Sequence, residues 1–263
     1  MQPKPFAGPK LKIARGREHV AELDAKVAAY LQDDSWAMLL QLEKNTGQHR
    51  IALKGRKEIP GEFSTIFGDA VHNFRTALDI LANDLVALSG VQPNKVYFPF
   101  GKDAIGFEDE LKSKMGQAPA DIQAIVRSFK PYSGVLRAMH DLDIADKHVA
   151  VVSVAASGLT GSLPMRRTKA ESLPQGGGRL TYEADFGALK TVPINLIGFP
   201  ADAEPNIETI GKIAGSELDC AIHKGLPLAR EPVVKALRQM GDLTESIIQT
   251  FEAHCFGVKK PTE

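Results

Sequence analysis

Cysteine is almost absent from this chain of 263 residues, with only Cys220 and Cys255. Two distant thiols in no metal-ligand spacing cannot form a disulfide scaffold, and a reducing cytoplasm is the expected home. Net charge is absent as well. Lysine plus arginine and aspartate plus glutamate number 32 each, so no global field draws the chain onto nucleic acid or a membrane, and nucleic acid is not favoured as a partner. Long apolar runs are missing too. The longest nearly apolar stretch, "VAVVSVAASGL" from Val149 to Leu159, is too short to span a bilayer. The start, "MQPKPFAGPKLK", has no apolar h-region and does not read as a signal peptide. The expectation is a soluble cytoplasmic protein without a membrane partner.

Catalytic signatures are equally scarce. There is no P-loop, no dinucleotide GxGxxG, no nucleophile-elbow GxSxG, no kinase signature and no HExxH. His254 and Cys255 are neighbours in sequence, but adjacency does not set a base against a nucleophile. Two small basic clusters (Lys54, Arg56 and Lys57; Arg166, Arg167 and Lys169) have no interleaved aromatics and read as solvated turns.

What is present is a well-patterned globular chain. Its 43% hydrophobic content suffices for one large core or two modest ones. Leu11 to Leu31 reads as a helix, with Val20, Leu23, Val27 and Leu31 at three- and four-residue steps. "SWAMLLQL" and "HRIALKG" flank a turn with Asn45 and Gly47, the pattern of a β-hairpin. Pro60 and Gly61 open a long central helix that ends near Ser89-Gly90. "KVYFPF" reads as a short extended segment, placed at an edge or in a loop by Pro99. Two short helices, Phe107–Met115 and Ala120–Phe129, precede "GVLRAMHDLDIADKH", which begins as a helix and yields to the β-branched "VAVVSV". Strands and loops follow, with Gly176, Gly177 and Gly178 at a hairpin tip, and Glu231 to Phe256 closes the chain as an amphipathic helix. There is no internal repeat. Helices and antiparallel-looking strands without βαβ alternation imply α+β. The expectation is one domain over 1–263, with a helical core at about 60–148, a strand-rich part at about 149–230 and a last helix at about 231–256.

The central helix carries two faces. Phe63, Phe67, Ala70, Phe74, Leu78, Leu81, Leu85 and Leu88 fall in a stripe about 60° wide, a core face. Gly68, His72, Arg75 and Asp79 share a second stripe. Gly68 there would let a backbone or ligand come close, and Arg75 and Asp79, at i and i+4, can pair.

A second polar cluster lies in "HDLDIADKH", His140 to His148. With Val135, Met139 and Leu142 defining the apolar side, Asp146 falls on that side and Asp143 at its margin, while His140 and Lys147 share the next stripe. Inward carboxylates need a cation, because an unpaired buried charge is very costly. Arg75 and His72 are the protein-borne candidates, so the two stretches are expected to pack together. Asp146 could instead cap the chain where helix turns to strand. His140 and Asp143 at i and i+3, completed by His148 or His72, are compatible with a divalent metal, though no complete ligand signature is present and no metal ligand is assigned. His72, His140 or His148 could carry a proton near neutral pH, and an arginine could steady an oxyanion. The catalytic candidates are therefore His72, Arg75, Asp79, His140 and Asp143, and the binding candidates Asp146, Lys147 and His148.

"GDAVHNFRTALD" followed by "LRAMHDLDIADKH" resembles an uncharacterised group of bacterial and phage-associated proteins, over Pro60 to about Val152. Those proteins pair a GD-hydrophobic-HN-x-R-x-ALD helix with a downstream LH-x-LD-x-x-DKH segment. Some members place a histidine directly after that last aspartate, giving Arg-x4-His. This is similar to the active-site motif of the HEPN ribonucleases, which cleave RNA without metal. Here the position is Ile80, and no arginine in the chain is followed by Arg-x4–6-His spacing.

Three functional readings follow. In the first, His72, Arg75, Asp79, Asp143 and Asp146 form a buried structural network and the protein acts through a ligand or partner elsewhere on its surface. The second is an HEPN-like, metal-independent ribonuclease, and the third a divalent-metal-dependent hydrolase. The last helix, through Leu237, Leu243, Ile247 and Phe251, could also serve as a homodimer surface.

Overall fold

The computed structural model describes the backbone of residues 5–32, 36–43, 48–55, 58–148, 154–157, 163–172, 178–186, 189–199, 219–223, 225–229 and 231–257. Side chains are described for residues 5–32, 58–145, 220–223, 225–229 and 231–257. The turn at 44–47, the glycine loop at 173–177 and the side chains of both basic clusters lie outside these sets, as do the side chains of Asp146, Lys147 and His148.

The chain forms two compact units. Met1–Val27, Pro60–Ala155 and Cys220–Glu263 make the first, Ala28–Ile59 and Ala156–Asp219 the second. Six helices appear among the described residues: α1 (Ala7–Gln32), α2 (Glu62–Leu88), α3 (Ala104–Met115), α4 (Ala120–Ser128), α5 (Gly134–His148) and α6 (Val233–Phe256). The strands are β1 (Trp36–Glu43), β2 (Gln48–Gly55), β3 (Val154–Ser157), β4 (Leu163–Ser172), β5 (Gly178–Phe186), β6 (Leu189–Phe199) and β7 (Asp219–Ile222). In the second unit the backbone runs antiparallel in the order β1-β2-β4-β5-β6, with an irregularity between Arg167 and Lys169.

The α+β class expected for the chain, a long central helix packed with other helices plus an antiparallel β-hairpin and a C-terminal strand region closed by a last helix, is corrected. Among residues with described side chains 72% are helical, in six helices, and no sheet stands among them. The helices bury one another: the core of the first unit is drawn from α1 through α6 and from the Val96–Phe100 segment. Element type is local, and which elements share a core is not; strand patterns beside helical ones are equally compatible with a separate strand unit.

α2 is the centre of the helical unit. Its expected core face is buried from Phe63 to Leu85, but Leu88, in the last turn, is 43% exposed. Ile66, Val71, Ala82 and Val86 are buried as well, so apolar contact extends around most of the helix. Gly90 (φ +80°) follows Ser89 as a left-handed stop. Phe74 fits between two other helices at bare glycines: a Cβ on Gly16 of α1 would stand 2.5 Å from its ring, and one on Gly241 of α6 3.0 Å. α3 starts on Asp103, whose carboxylate accepts the Gly106 N–H at 2.8 Å. Between α2 and α3 the chain from Val96 to Gly101 belongs to no helix or strand, and its Val96, Phe98 and Phe100 are buried. No helix among the described residues is long and apolar enough to cross a membrane.

Candidate functional site

The polar stripe of α2 and the start of "HDLDIADKH" in α5 do meet. His72 Nδ1 lies 2.9 Å from Asp143 Oδ1, and Arg75 Nε donates to His140 Nδ1 at 3.4 Å. Asp143 sits deeper than its expected marginal position, its side chain only 7% exposed, while the His72 side chain is 49% exposed. Four of the five catalytic candidates thus form two α2–α5 contacts, and Asp79 joins them through Arg75.

Arg75 is held on several sides. Its Nη1 forms a contact ion pair with Asp79 Oδ1, one turn on, without the alignment of a hydrogen bond. Its guanidinium carbon stands 4.4 Å from the centre of the Phe100 ring, a cation–π contact. The His140 ring stacks on Phe100 at 4.6 Å with planes 6° apart. Because His140 Nδ1 accepts from Arg75, its ring is neutral with the proton on Nε2. Burial pushes its pKa down to about 4, and the Arg75 and Arg137 cations push the same way against the pull of Asp141 and Asp143.

The Val96–Gly101 segment after α2 is tied down by side chains of α2 and α5. Asn83 Nδ2 donates to Val96 O at 2.9 Å, and Phe98 N–H donates to Asp79 Oδ1 at 2.9 Å. Arg137 Nη1 donates to Gly101 O at 2.9 Å and holds Asp141 through its other nitrogens. A Cβ at Gly101 would come within 2.5 Å of the Phe107 backbone, so only glycine lets α3 start so close. The Val96 carbonyl, the Phe98 N–H and the Gly101 carbonyl, which have no ladder, are paired with side chains of α2 and α5.

Sequence reasoning found the α2–α5 pairing and missed the strap laid across it. Phe98, Phe100, Arg137, Asp141 and Thr76 were not singled out. The available signal was "YFPF", two phenylalanines flanking a proline, in a chain where a buried arginine needs an aromatic face. Thr76 Oγ1 lies 3.4 Å from His72 Nε2 on the open side of the cluster. Gly68 is buried within α2.

As metal ligands, His140 and Asp143 are turned to different partners, the first to Phe100 and Arg75, the second to His72. Among the described residues no three His, Cys, Asp or Glu side chains stand together as a metal-holding group. Ile80, at the position of the HEPN histidine, packs toward α1: a Cβ on Gly8 would meet its Cγ2 at 3.1 Å.

No protein-family model matches the chain, and neither a curated protein nor a solved structure matches it.

Proposed function

We propose that the Arg75 cluster is an architectural lock holding the Val96–Gly101 strap against α2 and α5, and that this cytoplasmic protein acts through a ligand or partner bound elsewhere on its surface. The observation that supports this reading is the state of Arg75. Its side chain is 11% exposed, and Asp79, Phe100 and His140 already take up its charge, its face and its Nε. An arginine paired, stacked and nearly buried in this way serves the packing of α2, α5 and the Val96–Gly101 segment.

The test is urea unfolding of Arg75→Ala beside the unmodified protein. Removing Arg75 leaves the Asp79 carboxylate with the Phe98 N–H but without its cation, and a loss of about 3–5 kcal/mol is expected. Arg75→Lys keeps the charge but not the planar face on Phe100, and an intermediate loss is expected. A neutral or stabilising Arg75→Ala would overturn the lock and return Arg75 to a functional role.

The HEPN-like ribonuclease reading has weaker support, since Ile80 stands in the histidine position and packs toward α1. The divalent-metal hydrolase reading has His140 and Asp143 committed to separate partners.

A further inference from the structure

Outside the lock, three side chains stand in a connected order at the open side of α2, two from α2 itself and one from α5. Thr76 Oγ1 stands 3.4 Å from His72 Nε2, and His72 Nδ1 stands 2.9 Å from Asp143 Oδ1. The hydroxyl and the ring come from one helix at i and i+4, where side chains are neighbours. The carboxylate comes from α5 and is nearly buried, whereas half of the histidine side chain faces water. This is the order of roles in a hydroxyl–imidazole–carboxylate relay, which is recognised by geometry rather than by sequence position. The first link is long for a ground-state hydrogen bond, as such links often are without substrate.

We propose that Thr76, His72 and Asp143 form a nucleophilic site that accepts an acyl group from an activated ester. Thr76 Oγ attacks the ester carbonyl and forms the new C–O bond while His72 Nε2 takes the hydroxyl proton. The leaving alkoxide departs with its bonding pair and receives that proton from His72. Water then attacks the acyl-threonine by the same route in reverse, giving the carboxylic acid and restoring the hydroxyl. Asp143 is a positioning residue: it holds the Nδ1–H tautomer, leaves the Nε2 lone pair toward Thr76, and balances the ring when it is charged. A ring so open to water suits esters whose leaving group departs with little assistance.

The site shares no residue with the lock, and one experiment separates them. The full chain is treated with p-nitrophenyl acetate, p-nitrophenolate release is followed, and acetylated peptides are mapped by mass spectrometry. The expected result is acetyl on Thr76, absent in Thr76→Val, with the urea midpoint of that variant unchanged. His72→Ala should slow Thr76 acetylation by about 10²–10⁴-fold, the usual span for a lost general base, and added imidazole should restore part of it. Asp143→Asn should slow it comparably and shift the His72 ring toward the Nε2–H tautomer in ¹⁵N NMR, which a purely structural carboxylate would not do. Acetylation confined to His72 or to lysines overturns the proposal, as does Thr76 labelling that proceeds equally in His72→Ala. Failure here leaves the Arg75→Ala unfolding result untouched.

Discussion

His140 and Asp143 are three residues apart on α5, and their surroundings give them opposite work. Asp143 keeps an exposed imidazole in place, whereas His140 stacks on Phe100, accepts from Arg75 and stays neutral. Its pKa lies near 4 in the folded protein against an ordinary 6.5, with burial as the first cause. On acidification the unfolded chain therefore takes up this proton before the folded one does. The stability that His140 contributes is fully present above about pH 6.5 and is lost progressively as pH falls toward about 4. Urea midpoints measured across that window should decline in the unmodified protein, and His140→Gln should flatten the decline. An equal slope in both would assign the acid sensitivity to other groups. Asp84 has the opposite sense. Burial raises its pKa against the bond it accepts from Phe6 N–H at 3.0 Å, so its contribution grows rather than falls on acidification.

Helix α2 shows how much of an element is written locally and how much comes from its neighbours. Its period, its start after Pro60 and Gly61 and its stop at Ser89-Gly90 follow from residue spacing and backbone preference, and the structure keeps them. The contact between Phe74 and the bare faces at Gly16 and Gly241 is not local, because three distant stretches must converge before either glycine matters. Gly16→Ala is expected to cost about 1–3 kcal/mol through overpacking, more than Gly241→Ala, whose added carbon meets the ring less closely. In a double-mutant cycle, Phe74→Leu should reduce the cost of Gly16→Ala; strict additivity would show that the ring and the glycine are not in contact. The Val96–Gly101 strap was the least legible element. Its apolar residues alternate at Val96, Phe98 and Phe100, but its carbonyls and N–H bond to Asn83, Arg137 and Asp79, which no local pattern associates with it.

At the scale of the whole molecule, α1 and α6 carry ion pairs along their exposed sides: Lys10 with Glu252, Arg17 with Asp242 and Glu245, and Arg238 with Asp24. Such exposed pairs contribute roughly 0–1 kcal/mol each, so unfolding in high salt should shift only slightly. The apolar stripe on α6 is another matter. Leu237, Ile247 and Phe251 are fully buried in their own unit and Leu243 is half-buried, so the face considered for a homodimer is core. Leu237→Ala is expected to lose about 2–5 kcal/mol of stability while the elution volume of the folded protein stays unchanged; a change in size at unchanged stability would make that face an interface. From the sequence alone came the helices, the two polar clusters and their meeting, because periodicity, capping and the cost of an unpaired carboxylate act over a few residues at a time. Only the tertiary structure decided that the polar clusters lie in a helical unit rather than an α+β core, that Arg75 rests on Phe100, and that Thr76 completes a line through His72 to Asp143. The physical reason is the same in each case: burial, stacking and charge pairing depend on which surfaces distant segments bring together, and pairwise spacing along the chain does not carry that information.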